Sequence, residues 1–336
     1  MTLELIEGES LWNDEDPLTE VTWTDQDGEV VRSVDLINYG YLFSHELPEQ
    51  DWAIPYLVPS GGQVVIYSKA GHGKSLLMLE ACAALATGRE LFGEPGRDPV
   101  HVLYFDQEMT EEDLRDRLEA FGYGPEDAPQ LQQFLHYVQL QNLDPLDTEQ
   151  GGQMFMDIVN EFDPAVTVID TMLRFIEGEE NSADTYKAVD RYVSRRMKAE
   201  HRSLVRLDHA GKDASKGMRG SSAKEGYVDV SWRLVRDNGR QWEPVKVTLT
   251  CDKSRVSTIR LDQKLIFHVE NDPLRHVYVA DREIITPEIE DIIRLLEDAG
   301  VDADESVRRA CAAIHKRQDP VRIAQKERKR RLQQPN

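Results

Sequence analysis

Residues 61–88, GGQVVIYSKAGHGKSLLMLEACAALATG, constrain this chain more than any other stretch, because a buried strand, a glycine-punctuated loop and a helix follow one another without a gap. Val64 to Tyr67 form the short apolar, β-branched run expected of a parallel strand, and Ser75 to Thr87 form a Leu- and Ala-rich helix closed by Gly88 as C-cap. Between them lies the pattern of a phosphate-binding loop, with Ala70, Gly71, His72, Gly73, Lys74, Ser75 and Leu76 as the candidate nucleotide-binding set. The glycines let successive backbone N–H groups and the helix N-terminus point at a polyphosphate, Lys74 reaches the β- and γ-phosphates, and Ser75 offers its hydroxyl to Mg²⁺. The general pattern begins with Gly where this chain has Ser68. At the exit of a strand Ser68 can keep an ordinary φ, so the change is tolerated.

The 336 residues suffice for a full core, and the composition is that of a protein without membrane spans: no apolar run approaches the ~18 residues of such a helix. Met1 to Glu9 lack the basic and apolar regions of a signal peptide, which makes the cytoplasm the expected location. Cys82, Cys251 and Cys311 lie far apart and suggest neither a disulfide framework nor a zinc site. The formal charge of −22 argues against non-specific binding of polyanions, but its distribution is uneven. Acids crowd the first thirty residues, whereas bases dominate from Arg308 to Arg331, so nucleic acid can still be bound locally.

Residues 1–50 show aromatic side chains among acids without a sustained period and are expected to form an acidic, partly ordered arm. From residue 51 to 283 strands and helices alternate: strands at 100–106, 134–140, 166–170 and 203–207, helices at 111–121 (Thr110 as N-cap), 149–162 and 183–200. Such alternation predicts an α/β fold with a mostly parallel, twisted sheet. Past a polar loop at 210–226, alternating strands at 228–235 and 245–250, joined through Asp237-Asn238-Gly239, predict an antiparallel edge hairpin, followed by a strand at 264–269. Residues 284–336 predict a small, basic helical module: Pro287 to Ala299, a second helix capped by Asp304, and a third opened by Pro320.

Two apolar strands end in carboxylates. Asp170 closes Val168-Ile169-Asp170, the position from which a phosphate-loop ATPase holds Mg²⁺ together with Ser75. Asp106-Gln107-Glu108-Met109 places Glu108 just past its strand, where a carboxylate can orient and deprotonate the water that attacks a γ-phosphate. Glu108 is the favoured base and Asp106 its competitor.

Taken together, the phosphate loop, Glu108-Met109, the strand ending in Asp170 and the strand ending in His209 resemble the RecA-like P-loop ATPases, in particular the RepA/DnaB-type hexameric replicative helicases of phages and plasmids. The likeness spans roughly residues 50–270 and includes Asp170-Thr171, Arg174-Phe175 and Glu180-Asn181. It implies a RecA-like core, ATP and Mg²⁺ as cofactors, and His209 as a γ-phosphate sensor; Asp208 departs from the family pair His-His, so only His209 carries over. It also implies that Lys212, Lys216, Arg219 and Lys224 form a basic loop facing single-stranded DNA, and that Lys253 and Arg255 act as a finger in the ATP site of a neighbouring subunit. Partners expected on this basis are single-stranded DNA, further copies of the chain in a ring of hexameric type, and a replication protein, with no membrane. The expected activity is that of an ATP-driven helicase or translocase. The alternatives are a RecA-type filament-forming recombination ATPase and a KaiC-like regulatory ATPase that binds proteins, which the net charge favours.

Overall fold

The computed structural model describes residues 18–24, 29–44, 51–139, 143–180, 182–210, 226–238, 245–279, 287–316, 321, 324–325 and 328–329. The chain divides into two compact units, Met1–Asp51 and Trp52–Asn336.

In the first unit β1 (Leu18–Thr24) and β2 (Val30–Ile37) pair antiparallel, Leu18 opposite Ile37 and Trp23 opposite Arg32, and the short helix α1 (Tyr39–Ser44) follows, with the Tyr41 amide donating to Asn38 Oδ1 at 3.1 Å. This hairpin and helix are the ordered elements described within the acidic, partly ordered arm expected from the sequence. Its two strands scatter Val, Thr, Glu and Asp over both faces, so no alternation marks them; β-branched propensity and the pairing itself carry the structure. Residues 1–17, with Trp12 and much of the acidic pattern, lie outside the described residues.

The second unit is built on a nine-stranded sheet. A two-stranded ribbon, β3 (Trp52–Ile54) with β4 (Val58–Pro59), leads into β5 (Gln63–Ser68) and the helix α2 (Lys74–Thr87). Then come β6 (Val102–Asp106), α3 (Glu111–Ala120), α4 (Ala128–Phe134), β7 (Leu135–Gln139), α5 (Glu149–Phe162) and β8 (Val166–Asp170). A helical stretch consisting of α6 (Ala183–Val189), a π-turn over Asp190–Ser194 and α7 (Arg195–Ala199) precedes β9 (Ser203–His209). Four strands close the sheet: β10 (Val230–Asp237), β11 (Val245–Ser254), β12 (Lys264–Asn271) and β13 (Leu274–Val279). The spatial order is β13-β12-β11-β10-β5-β9-β8-β6-β7. From β10 to β7 every pairing is parallel, and from β10 to β13 every pairing is antiparallel. The fold is therefore the α/β architecture that the alternation predicts, except that β10 itself runs parallel to β5 and the antiparallel edge has one strand more than expected.

Both faces of the parallel block are covered, which is why β5, β6 and β8 are buried at every residue and read as unbroken apolar runs. The pleat sorts their side chains. Val102, Tyr104, Val166, Val168, Val205 and Leu207 face the layer that contains α2, whereas Leu103, Phe105, Ile169 and Leu204 face α5 and α6 through Phe155, Met156, Val159, Tyr186 and Val189. Within α2 only Ser75 and Leu76 escape burial, so the helix is apolar all round rather than amphipathic. Its buried Glu80 accepts the His276 backbone N–H at 2.9 Å and pairs with the His276 ring, which ties α2 to β13.

Several boundaries differ from expectation for identifiable reasons. The helix expected at 183–200 is interrupted by the π-turn, and α4 is too short and Gln-rich to show a period. Helix α3 does begin at Thr110, which forms a capping box with Asp113. In the C-terminal segment α8 (Pro287–Asp298) and α9 (Val307–Ile314) pack through Ile292, Ile293, Leu296 and Ala310 together with Val321 and Ala324. The N-cap of α9 is Ser306, not Asp304, and Leu295 is exposed rather than part of this cluster. Described bases of the tail turn back on their own module: Arg328 donates to the Val301 carbonyl at 2.7 Å, and Lys329 pairs with Asp304 at 2.9 Å.

Candidate active site

The sheet presents the loop after β5 at the carboxyl ends of its parallel strands, where such sheets place their ligands. Gly71 and Gly73 adopt φ of 77° and 94°, a left-handed conformation that β-bearing residues rarely take. A Cβ on Gly71 would meet nothing within 4 Å, so it is the backbone conformation, and not crowding, that calls for glycine there. Ser68 ends β5 and is not among the positive-φ residues, in line with the tolerance expected of it. Its hydroxyl accepts a hydrogen bond from Lys74 Nζ at 3.3 Å, and its carbonyl accepts the Ala210 N–H at 2.7 Å, which joins the loop to the end of β9.

A cavity of about 460 Å³ opens above this loop. Ala70, Gly71, Gly73, Lys74, Ser75 and Leu76 form its floor, and Glu108, Thr171 and His209 its wall. His72 does not line it; its ring accepts the Arg236 backbone N–H at 3.3 Å and so fastens the loop to β10.

The two strand-end carboxylates lie side by side, Asp106 opposite Asp170 in the β6–β8 register, yet they are differently engaged. Asp106 accepts the backbone N–H groups of Glu108 at 2.6 Å and Met109 at 3.2 Å, and the Tyr137 hydroxyl. It is buried and outside the cavity lining, so it serves the turn, whereas Glu108 lines the cavity with its side chain 41 % exposed. Of the two carboxylates, Glu108 is thus the one that faces the cavity. Its Oε1 is met by Thr171 Oγ1 at 3.4 Å and Arg174 Nε at 3.5 Å.

Asp170 accepts a hydrogen bond from Tyr104 Oη at 2.8 Å, and the Ser75 hydroxyl lies near it, while its Oδ1 is buried without a hydrogen-bond partner. That orphaned acceptor beside the Ser75 hydroxyl suits Mg²⁺, which takes oxygen ligands and usually one or two carboxylates plus nucleotide phosphates. Among the described residues no group of three or more His, Cys, Asp or Glu is placed to hold a metal by itself. Ser75 and Asp170 would thus hold the ion jointly with bound phosphates, and the ion would there neutralise phosphate charge.

The electrostatics follow burial. Desolvation pushes the Lys74 ammonium below its usual value, opposed by the carboxylates of Asp170, Asp208 and Glu108. Desolvation likewise raises Asp170 to about 6, aided by Asp106 and resisted by the Ser75 and Tyr104 hydroxyls and by Lys74. Burial and Lys74 lower His209 from its ordinary value, opposed by the carboxylates of Glu108, Asp208 and Glu180.

Lys253 and Arg255 stand elsewhere. Ser254 on β11 lies opposite Val230, which pairs with Val64 at the far end of β5, roughly 13 Å of strand from the start of the loop. There Lys253 Nζ and Arg255 Nη2 donate to the Gly226 carbonyl at 3.3 and 2.9 Å, and Arg255 approaches Asp229 at 4.0 Å. Lys212, Lys216, Arg219 and Lys224 lie outside the described residues, as do Asn181 and Gly239. Two cations that the sequence did not single out do line the cavity: Arg117 of α3, whose Nη1 is buried without a hydrogen-bond partner, and Arg236 at the end of β10, whose Nη1 would lie 4.0 Å from a Cβ on Gly73. Only the position of Arg117 on the helix after Glu108 could have pointed to it, and nothing local marks Arg236.

A phosphate loop between a buried strand and a helix, two carboxylates at neighbouring strand ends and a mostly parallel sheet define a RecA-like P-loop ATPase. The chain belongs to the AAA domain family AAA_25, whose model matches residues 38–215. Among solved structures it is similar to a KaiC-like protein from the hyperthermophilic archaeon Pyrococcus horikoshii, at 16 % identity over 69 % of this chain and 99 % of that one, with a TM-score of 0.49. It is also similar to the flagellar accessory protein FlaH from Methanocaldococcus jannaschii, at 12 % identity over 66 % of this chain and 91 % of that one, with a TM-score of 0.46. No curated protein matches the chain.

The Asp170 carboxyl generates a stability prediction. Its folded value of about 6 exceeds the 3.8 of an ordinary Asp, so the fold disfavours the ionised form: below pH 4 there is no penalty, and it grows to its full size above pH 6. At 1.36 kcal/mol per pK unit the penalty is about 3 kcal/mol. In nucleotide- and Mg²⁺-free protein, Asp170→Asn is expected to raise the melting temperature by several degrees at pH 8 and to leave it nearly unchanged at pH 4. Thermal unfolding at the two pH values checks this, and an equal effect at both would refute it.

Proposed function

We propose that this ATPase is a ring-forming motor that couples ATP hydrolysis to movement on single-stranded DNA. The observation that carries the proposal is the position of Lys253 and Arg255. A finger pair at the opposite end of the sheet from the chain's own cavity cannot reach its own nucleotide, whereas in a head-to-tail ring it can meet the nucleotide of the next subunit. Support for DNA as the track comes from the sequence, where Lys212, Lys216, Arg219 and Lys224 gather bases in one loop of a chain with a net charge of −22.

The chain's own residues divide the work of hydrolysis. Loop N–H groups and Lys74 bind and orient the phosphates; Glu108 takes the proton of the attacking water, which Thr171 and Arg174 keep aligned by fixing Oε1. His209, which lines the cavity beside the loop, senses the loss of the γ-phosphate and passes it through Ala210 to the segment that follows. A KaiC-like regulatory role is the second reading, and the strongly acidic composition favours it.

Lys74→Ala is expected to abolish nucleotide binding and turnover together, whereas Glu108→Gln should bind ATP with near-native affinity and turn over about 10²-fold more slowly or less. Filter binding and phosphate release measured side by side decide; near-native turnover in Glu108→Gln would sink the assignment of the base.

Arg255→Ala should keep nucleotide binding and lose about 10³-fold in turnover, and mixing it with Lys74→Ala should restore activity at hybrid interfaces. Full activity of a strictly monomeric species in sedimentation would overturn the ring.

Single-stranded DNA should stimulate turnover, with an affinity whose log falls against log salt by about 0.7 per phosphate contact. A salt-independent or absent response would favour the regulatory reading.

A further inference from the structure

The two strand-end carboxylates carry one more device. Tyr104 lies on β6 opposite Val168 of β8, and Tyr137 lies on β7 opposite Tyr104. Each ring therefore stands two residues before the strand end, one strand over from the carboxylate it meets: Tyr104 Oη donates to Asp170 Oδ2 at 2.8 Å, and Tyr137 Oη donates to Asp106 Oδ2. The two rings stack with centroids 5.1 Å apart and planes 12° from parallel. Tyr104 is fully buried and Tyr137 half-buried. The hydroxyls thus sit at a fixed spacing set by the strand spacing itself.

The consequences of the two contacts differ. Asp170 uses Oδ2 for Tyr104 and keeps Oδ1 without a partner. The hydroxyl fixes which oxygen is left for a cation. Asp106 uses Oδ2 for Tyr137 and turns Oδ1 to the amides of Glu108 and Met109. There the hydroxyl fixes the carboxylate that fixes the turn carrying Glu108. Carboxylates at adjacent register positions repel; a separate donor for each holds them in distinct orientations.

We propose that Tyr104 and Tyr137 form a stacked pair of positioning residues with separate tasks, Tyr104 orienting Asp170 toward the Mg²⁺ of bound nucleotide and Tyr137 holding, through Asp106, the turn that presents Glu108. The proposal rests on the reading of the site as one that hydrolyses Mg²⁺-ATP. Partners of this kind, one bond removed from a ligand, typically change metal affinity or activity by about 10- to 100-fold when lost.

The test uses Tyr104→Phe and Tyr137→Phe in the full chain, since both keep the stacked rings and remove only the hydroxyls. A fluorescent ATP analogue is titrated at graded Mg²⁺, turnover is measured at saturating Mg²⁺, and hydrogen exchange is followed in the nucleotide-free protein. Tyr104→Phe should raise the Mg²⁺ concentration for half-maximal analogue binding by about tenfold or more, with exchange at Glu108 and Met109 unchanged. Tyr137→Phe should leave that Mg²⁺ dependence unchanged, lower turnover by about tenfold or more, and speed exchange of those two amides. Parallel losses in both variants, or an unchanged Mg²⁺ dependence in Tyr104→Phe, or unchanged exchange in Tyr137→Phe, would overturn the division of tasks. Amides in the interior of β6 and β8 serve as the reference, since a general loss of stability speeds exchange there as well, whereas release of the turn speeds it at Glu108 and Met109 alone. Failure of the wild type to bind the analogue would refute the ATPase site while the exchange arm still reads the contact from Tyr137 to the turn.

Discussion

One buried ammonium group governs the architecture around the loop. Lys74 is 6 % exposed, and a cation so far from water is tolerated only where the surroundings compensate it. Compensation comes from several sides: the Ser68 hydroxyl at the strand exit and the fields of Asp170, Asp208 and Glu108 from three different segments. None of these makes a close ion pair with Nζ among the described residues, so the ammonium keeps its capacity for an anionic ligand. Phosphate oxygens would complete its coordination and stabilise the folded protein by mass action.

The sheet order makes this convergence possible. Strand β9 lies between β5 and β8, so the loop is flanked by the end of β9, with Asp208 and His209, and looks across it to Asp170 and, one strand further, to Asp106 and the turn bearing Glu108. Burial on both faces holds these strand ends rigidly, through Tyr104 and the α2 layer on one side and through Phe105, Phe155 and Phe175 on the other. Precision at the site is thus a property of the core.

The antiparallel half of the sheet has a different part. It carries Lys253 and Arg255 away from the cavity and, through β10, brings Arg236 toward it. One hairpin therefore connects the chain's own phosphate loop, by way of His72, with the far end of the sheet. Along that length β10 and β11 share an unbroken ladder apart from one bulge at Ser231.

What the sequence determined alone is local. Gly71, Gly73, Lys74 and Ser75 announce a phosphate loop because left-handed φ and a helix N-terminus are demands a few consecutive residues can meet by themselves. The buried strands read at 64–67, 100–106 and 166–170, the helix capped by Thr110 and the helix at 149–162 were legible for the same reason. The hairpin at 18–37, the strand 274–279 and the short helix α4 were not, since their polar and apolar residues follow no clean period and their existence depends on what pairs with them. Tertiary structure alone decided that Asp106 is occupied by its own turn and Glu108 is free to face the cavity, and that Arg117 and Arg236 line it. Those facts depend on which strands are neighbours and in what register, and register is set by the packing of two whole faces, which no short stretch of chain contains.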